Sequence, residues 1–154
     1  MRKHKERDTK IKAYIAHPYR GASGSREEIK ANIGENEKIC RAIITDESFV
    51  DISPISPLTG FSFFDEDYPE YKIMRHCYTM LNGCNEVWVF GEWESSLGVV
   101  KEISYAIEIG KPVKFFDFID SKITELKKIR TKNEFCDLLI ETLLKERKKQ
   151  DERI

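Results

Sequence analysis

The chain has 154 residues, of which 40% are hydrophobic, 11% aromatic and 34% charged. That is a globular composition, long enough for one domain with a real core and too apolar for a disordered chain. Lys+Arg 26 against Asp+Glu 27 leaves a formal charge of -1, which excludes a net field drawing the whole molecule onto nucleic acid or anionic lipid.

Residues 1–10 read as a basic, poorly ordered lead-in, interrupted by Glu6 and Asp8 and lacking the apolar stretch of a signal peptide. No apolar run approaches the roughly 18 residues of a membrane span. The expected location is therefore the cytoplasm, with Cys40, Cys77, Cys84 and Cys136 reduced. They form no Cys-x-x-Cys pair and have no histidine at zinc spacing, so no metal site is expected. Residues 11–154 follow as a single domain. Its first strand, from Ile11, is closed by His17-Pro18. Arg20 to Ser25 is a glycine-serine turn, and Ser25 with Glu28 makes a capping box that opens a helix over residues 26–46.

A second strand is expected over residues 49–53. Residues 54–69 form a long loop with three prolines and an aromatic-acidic run from Phe61 to Tyr68; loops of this length are usually functional or mobile. Then come a helix over 70–83, a buried strand over 86–91, and a helix opened by Ser95-Ser96 and stopped by Gly110. A strand over 112–116 and an amphipathic helix over about 132–149 complete the chain, the latter with Phe135, Leu138, Leu139 and Leu143 on one stripe. Alternating strands and helices imply an α/β layered fold with a mainly parallel sheet. Ligands in such sheets bind at the carboxyl ends of the strands, which places segments 17–25, 53–69 and 91–98 around one crevice.

Gly91 to Ile103 carries the densest chemistry. A buried strand turns into a helix whose first turn holds serines and a glycine, and unpaired amides there favour an anion. Gly98 and Glu102 are four apart, so Glu102 leans over the bare glycine surface toward the crevice. A carboxylate with open space before it suits a nucleophile or base; the plainer alternative is a surface residue beside Lys101. Tyr14, near the end of the first strand, could orient such a carboxylate through its phenol, or simply pack. Arg20, with Gly21 and the turn after it, could fork a phosphate. A P-loop lysine and a Gly-x-Gly-x-x-Gly pattern are both missing, which disfavours an ATPase or a Rossmann-type site.

Tyr14-Ile15-Ala16-His17-Pro18-Tyr19-Arg20-Gly21, Val87-Trp88-Val89-Phe90, Ser96-x-Gly98-x-x-x-Glu102 and Gly110-Lys111-Pro112-Val113 together resemble the nucleoside 2-deoxyribosyltransferase superfamily, over roughly residues 11–116. That superfamily includes the deoxynucleoside 5'-monophosphate N-glycosidases. The resemblance implies a flavodoxin-like three-layer fold with a mainly parallel sheet of four or five strands. It also implies N-glycosidic bond cleavage through a covalent glycosyl-glutamate, a double displacement like that of retaining glycosidases. Glu102 matches the nucleophile and Tyr14 the tyrosine that orients it. Ser96 stands where the transferases carry aspartate and the monophosphate hydrolases serine. With Gly98, Arg20 and the adjoining Gly21 at phosphate-binding positions, the implied substrate tilts toward a 5'-monophosphate.

The chain also departs from the family pattern. The aspartate that assists the leaving base is replaced by Cys77 or its neighbour Tyr78, leaving Asp65, Asp67 or Glu70 as possible acids from the loop. Pro18 falls on a phosphate-contacting serine, and His17, a phosphate ligand, leaving-group acid or packing residue, replaces a small one. The aromatic run through Tyr71 could stack on a nucleobase, or fill a lid or subunit contact. The resemblance implies no cofactor, a nucleoside or nucleotide as small-molecule partner, and a homo-oligomer with the C-terminal helix as candidate interface. Membrane and nucleic-acid partners are not expected. Two other functions stay open: a catalytically silent nucleotide-binding or sensing module, and an NAD-type nucleotide glycohydrolase.

Overall fold

The computed structural model describes residues 8–64 and 67–153. Most of the basic lead-in, and Asp65, lie outside the described residues. Strand β1 (Ile11–Ala16) is followed by helix α1 (Arg26–Thr45), β2 (Ile52–Ile55), α2 (Glu70–Asn82), β3 (Glu86–Val89), α3 (Leu97–Glu108), β4 (Val113–Ile119), β5 (Lys122–Ile129) and α4 (Lys132–Glu152). The sheet order is β2-β1-β3-β4-β5. The first four strands are parallel, and β5 runs antiparallel to β4. This is the flavodoxin-like order, with its switch point between β1 and β3.

Alternation along the strands makes two cores. Ala13, Ile15, Trp88, Phe90 and Phe116 face α1 through Ile39 and Ile43. Tyr14, Ala16, Val87, Val89, Val113 and Phe115 face Cys77 and Leu81 of α2, Val99 and Ile103 of α3, and Phe135 of α4. Central strands buried on both faces read as continuous apolar runs, as Val87-Trp88-Val89-Phe90 does. Helices on opposite faces of neighbouring strands leave a crevice over the carboxyl ends of β1 and β3.

Several local expectations are corrected. Residues 47–49 form a 3-10 turn capped by Asp46, whose side chain accepts from the Ser48 amide at 2.9 Å. The turn sends the Phe49 ring edge-on against Trp88, centroids 5.3 Å apart, and delays β2 to Ile52. Ser25 caps α1 by accepting from the Glu28 amide at 3.1 Å, but Glu28 does not complete the box. Its carboxylate accepts instead from the Ala22 amide at 2.9 Å, the Ser23 amide at 2.8 Å and the Ser23 hydroxyl. The complete capping box belongs to Thr131 and Glu134 at the start of α4. Strand β5 has no counterpart in the sequence reading. It is joined to β4 through Asp120 and Ser121, both at positive φ (50° and 61°), the backbone of a tight two-residue hairpin.

Candidate active site

A cavity of about 300 Å³ opens over the carboxyl ends of β1 and β3, at the lower end of the range that small-molecule sites occupy. Loop 17–21 supplies one wall. Asn32 of α1 pins it by donating to the Tyr19 carbonyl at 3.0 Å. Pro57 and Leu58 supply another, held down by Asn36 of α1, which is fully buried and donates to the Ser56 hydroxyl at 2.9 Å. Ile73, Met74 and Cys77 of α2 face Ser96, Gly98, Val99 and Glu102 of α3 across the pocket. Phe61, Phe64 and Tyr68 complete it with an aromatic wall, in which Phe64 and Tyr68 stack at 4.7 Å.

Glu102 lines the cavity while being only 6% exposed. Its Oε2 has no hydrogen-bond partner, and neither has the hydroxyl of Tyr14, which is fully buried. Tyr14 does not reach the cavity surface; it lies behind Glu102, near enough for the phenol to favour the ionised carboxylate while falling short of a well-formed hydrogen bond. Burial dominates nonetheless and pushes the Glu102 carboxyl up to about 8, with the negative charge of Glu70 adding to the rise. The phenol of Tyr14 is raised well above its usual range by burial and then by the charge of Glu102. Cys77 completes the cluster. Burial, followed by the charge of Glu102, pushes its thiol up to about 12, so it sits there as a neutral group.

The four-residue spacing of Gly98 and Glu102 has the consequence the sequence implies: without a side chain at 98, the carboxyl faces open space. A second carboxylate closes the other side of that space. Glu70, the first residue of α2, places Oε1 3.0 Å from where a Cβ on Gly98 would stand, and the Ser96 hydroxyl lies 3.9 Å from the same point. Ser96 caps α3 by accepting from the Val99 amide at 3.3 Å. The first turn of α3, Ser96, Gly98 and Glu70 therefore meet at one end of the pocket.

Loop 17–25 borders the cavity and carries contacts of its own. Arg20 and Gly21 line the cavity, and the Arg20 guanidinium lies 6.0 Å from the centroid of the Tyr19 ring. The amides of Ala22 and Ser23 in the turn after Arg20 are bound to Glu28, whose carboxyl is held below its usual range chiefly by the Ser23 hydroxyl. Gly21 is at φ +66°, and a Cβ there would collide with the Glu28 carboxylate, so glycine is needed to close this internal contact. His17 is 2% exposed, with Nδ1 2.8 Å from the Pro18 carbonyl oxygen and Nε2 2.8 Å from a Glu35 carboxylate oxygen. Nε2 thus ties the end of β1 to α1, Nδ1 is held by the neighbouring carbonyl, and the ring lines the cavity.

The structure brings Glu102, Tyr14, Cys77, Ser96 and Gly98 together, and His17, Arg20 and Gly21 line the same cavity. The sequence reading missed the role of Glu28 and the position of Glu70 above Gly98. Glu70 had one usable signal, a carboxylate at the opening turn of a helix directly after Pro69. Among the described residues no group of His, Cys, Asp and Glu is arranged to hold a metal ion, and no helix is long and apolar enough to cross a membrane.

Residues 11–115 match a family model described as a domain of unknown function, DUF4406. No curated protein matches the chain. Among solved structures, a 2-deoxyribosyltransferase from Bacillus psychrosaccharolyticus is similar over 73% of this chain and 77% of its own, at 17% identity and a TM-score of 0.48. A 2-deoxyribosyltransferase from Leishmania mexicana is similar over 71% of this chain, at 18% identity and a TM-score of 0.45, and only 65% of its own length is covered. Both likenesses are loose, and the fold assignment rests on the strand order described above.

Proposed function

The chain belongs to the DUF4406 family, and we propose that it is an enzyme acting on the N-glycosidic bond of a nucleoside or nucleotide. One observation carries this reading. A buried carboxyl with an unpartnered oxygen, Glu102, faces an aromatic-walled cavity with an unpartnered tyrosine hydroxyl behind it. Buried polar groups are nearly always hydrogen-bonded, and those left unpaired at a cavity are candidates for work on a ligand. The order of motifs shared with the nucleoside 2-deoxyribosyltransferase superfamily gives that work its chemistry.

In this proposal the base docks against Phe64 and Tyr68, and C1' of the sugar comes to rest before Glu102, over Gly98. The ionised Glu102 attacks C1', and the C1'–N bond breaks with its electron pair going to the base, which takes up a proton. Water or a second base then attacks C1' and regenerates the carboxylate. Tyr14 is a positioning residue that favours the ionised form. Cys77 occupies the region where the superfamily places its acid; a thiol held up to about 12 is a poor proton donor at neutral pH, so general acid assistance, typically ~10²–10⁴-fold, comes from elsewhere or is forgone. The same substitution favours the second reading, a silent nucleotide-binding module. A cytoplasmic location, which the four free cysteines suit, and a homo-oligomeric state belong to the proposal, and sedimentation checks the latter.

The test is chromatography of base release from deoxynucleosides, ribonucleosides and their 5'-monophosphates. Wild type runs beside Glu102→Gln, with and without a free acceptor base. Release that depends on Glu102 is the expected result, and base exchange against hydrolysis separates transferase from glycosidase. Binding without release from any member refutes the enzyme and leaves the silent module.

A further inference from the structure

A carboxylate of this chain stands at each of two places where backbone amides could hold an anion, one at the first turn of α3 in the pocket and one in the turn after Arg20, which adjoins it. A helix N-terminus next to a glycine is a ready phosphate site, and so is a turn of successive amides. At the first turn of α3, Glu70 Oε1 stands within 3.0 Å of a Cβ position on Gly98, beside the Ser96 hydroxyl. In the turn after Arg20, the amides of Ala22 and Ser23 donate to Glu28. The two carboxylates differ in attachment. Glu28 is bound by three donors, and Gly21 leaves room for it alone. Glu70 is an exposed side chain at the end of a helix, and its negative charge reaches Glu102 and Cys77 across the pocket. The unpartnered, buried oxygen of Glu102, which lines this same pocket, marks it as one that takes a ligand.

We propose that Glu70 sets the charge of the ligand this pocket accepts, repelling a phosphate at the N-terminus of α3 and accepting a hydrogen bond from an uncharged, hydroxyl-bearing group. Taken with the glycosidic-bond reading, on which this part rests, the substrate is a nucleoside and not its monophosphate. This reverses the tilt drawn from Ser96, Gly98 and Arg20 alone. At a separation of about 4 Å, repulsion between unit charges costs roughly fivefold in affinity even in water. A phosphate of charge near -2 is therefore disfavoured by roughly tenfold or more.

The experiment is a calorimetric titration of inorganic phosphate into wild type and Glu70→Gln at low salt, together with the base-release panel on both proteins. Glu70→Gln is expected to bind phosphate at least about tenfold more tightly than wild type, and to raise the monophosphate-to-nucleoside ratio of kcat/KM by a similar factor. Glu70→Ala serves as a second variant, with circular dichroism to check that the fold is kept. Equal phosphate affinity in wild type and both variants, or no phosphate binding by any of them, overturns the proposal. Base release and phosphate binding fail separately. A gain in phosphate affinity without base release from any substrate refutes the glycosidic reading and leaves the charge selection standing. Base release with unchanged phosphate affinity does the reverse.

Discussion

Replacing Glu102 with glutamine is expected to stabilise the protein, by an amount that grows with pH. The Glu102 carboxyl rises from 4.5 to about 8 on folding. Between those values the unfolded chain has released a proton that the folded chain keeps, so folding stability declines as pH rises through this window. Below it, Glu102 is protonated in both states and costs nothing by this route. Every pH unit across the window is worth about 1.4 kcal/mol, so the full span sets an upper bound of roughly 5 kcal/mol above pH 8, and about 3 kcal/mol at pH 7. Glutamine has a similar shape and no charge to desolvate.

For a chain of this length each kcal/mol moves Tm by about 2–4 °C. The midpoints of wild type and Glu102→Gln are therefore expected to lie close together near pH 4.5 and to separate by roughly ten degrees near pH 8. Scanning calorimetry at half-unit steps between those limits reads the difference, in which groups common to both proteins cancel. Two curves that run parallel refute the reasoning, because they mean that Glu102 ionises alike in the folded and unfolded chains. A glutamine variant less stable at every pH refutes it too, since Glu102 would then be held by interactions worth more than its desolvation.

Other expectations follow from the same cluster. For any substrate that releases its base, kcat/KM rises with pH and levels off above about 8, because attack requires the ionised carboxylate; a pH–rate profile checks it. Tyr14→Phe removes the hydroxyl that favours the ionised form, so the midpoint of that profile moves up by about one pH unit or more and the rate at pH 7 falls roughly tenfold. The same variant keeps its stability within about 1 kcal/mol, since the hydroxyl lost is buried without a partner. Timed alkylation followed by mass spectrometry should label exposed Cys136 first and Cys77, its thiol raised to about 12, last. Gly21→Ala sets a side chain against Glu28 at a backbone φ of +66°, and chemical denaturation should show a loss of roughly 1–3 kcal/mol.

What the sequence discloses and what it hides follow from how locally each feature is encoded. Strand β3 and helix α3 are legible because an unbroken apolar run and a serine cap act within a few residues of themselves. Strand β5 is hidden for the opposite reason. A bulge breaks its register opposite Phe115 and Phe116, so Ile123 packs on the α1 side while Ile129, of the same parity, packs on the other. No period-2 pattern survives that slip. At the site, Glu102 and Gly98 are legible as a spacing on one helix. The partners of Glu28 and the reach of Glu70 are not, because each depends on where a side chain's far end lies once separate segments have come together. Ser25 and Glu28 show the limit well: the capping-box pattern is present, yet the carboxylate finds three donors in the neighbouring turn.

The stability that Glu102 costs also bears on which of the two functions the chain performs. A module that only holds a nucleotide gains nothing from a carboxyl shut away from water and left unpaired, and single substitutions to glutamine or leucine would relieve the strain. Glu102 sits in a setting that opposes its charge, with a tyrosine behind it that partly restores that charge and a glycine before it that leaves the approach open. Each arrangement has a use if the carboxylate must meet a developing positive charge on a sugar carbon: low polarity strengthens that encounter, and the phenol keeps the ionised form within reach of neutral pH. Glu70 fits the same logic at the other end of the pocket. Its charge adds to the rise at Glu102, so a ligand hydroxyl that draws on that charge would ease ionisation of Glu102 as the ligand binds.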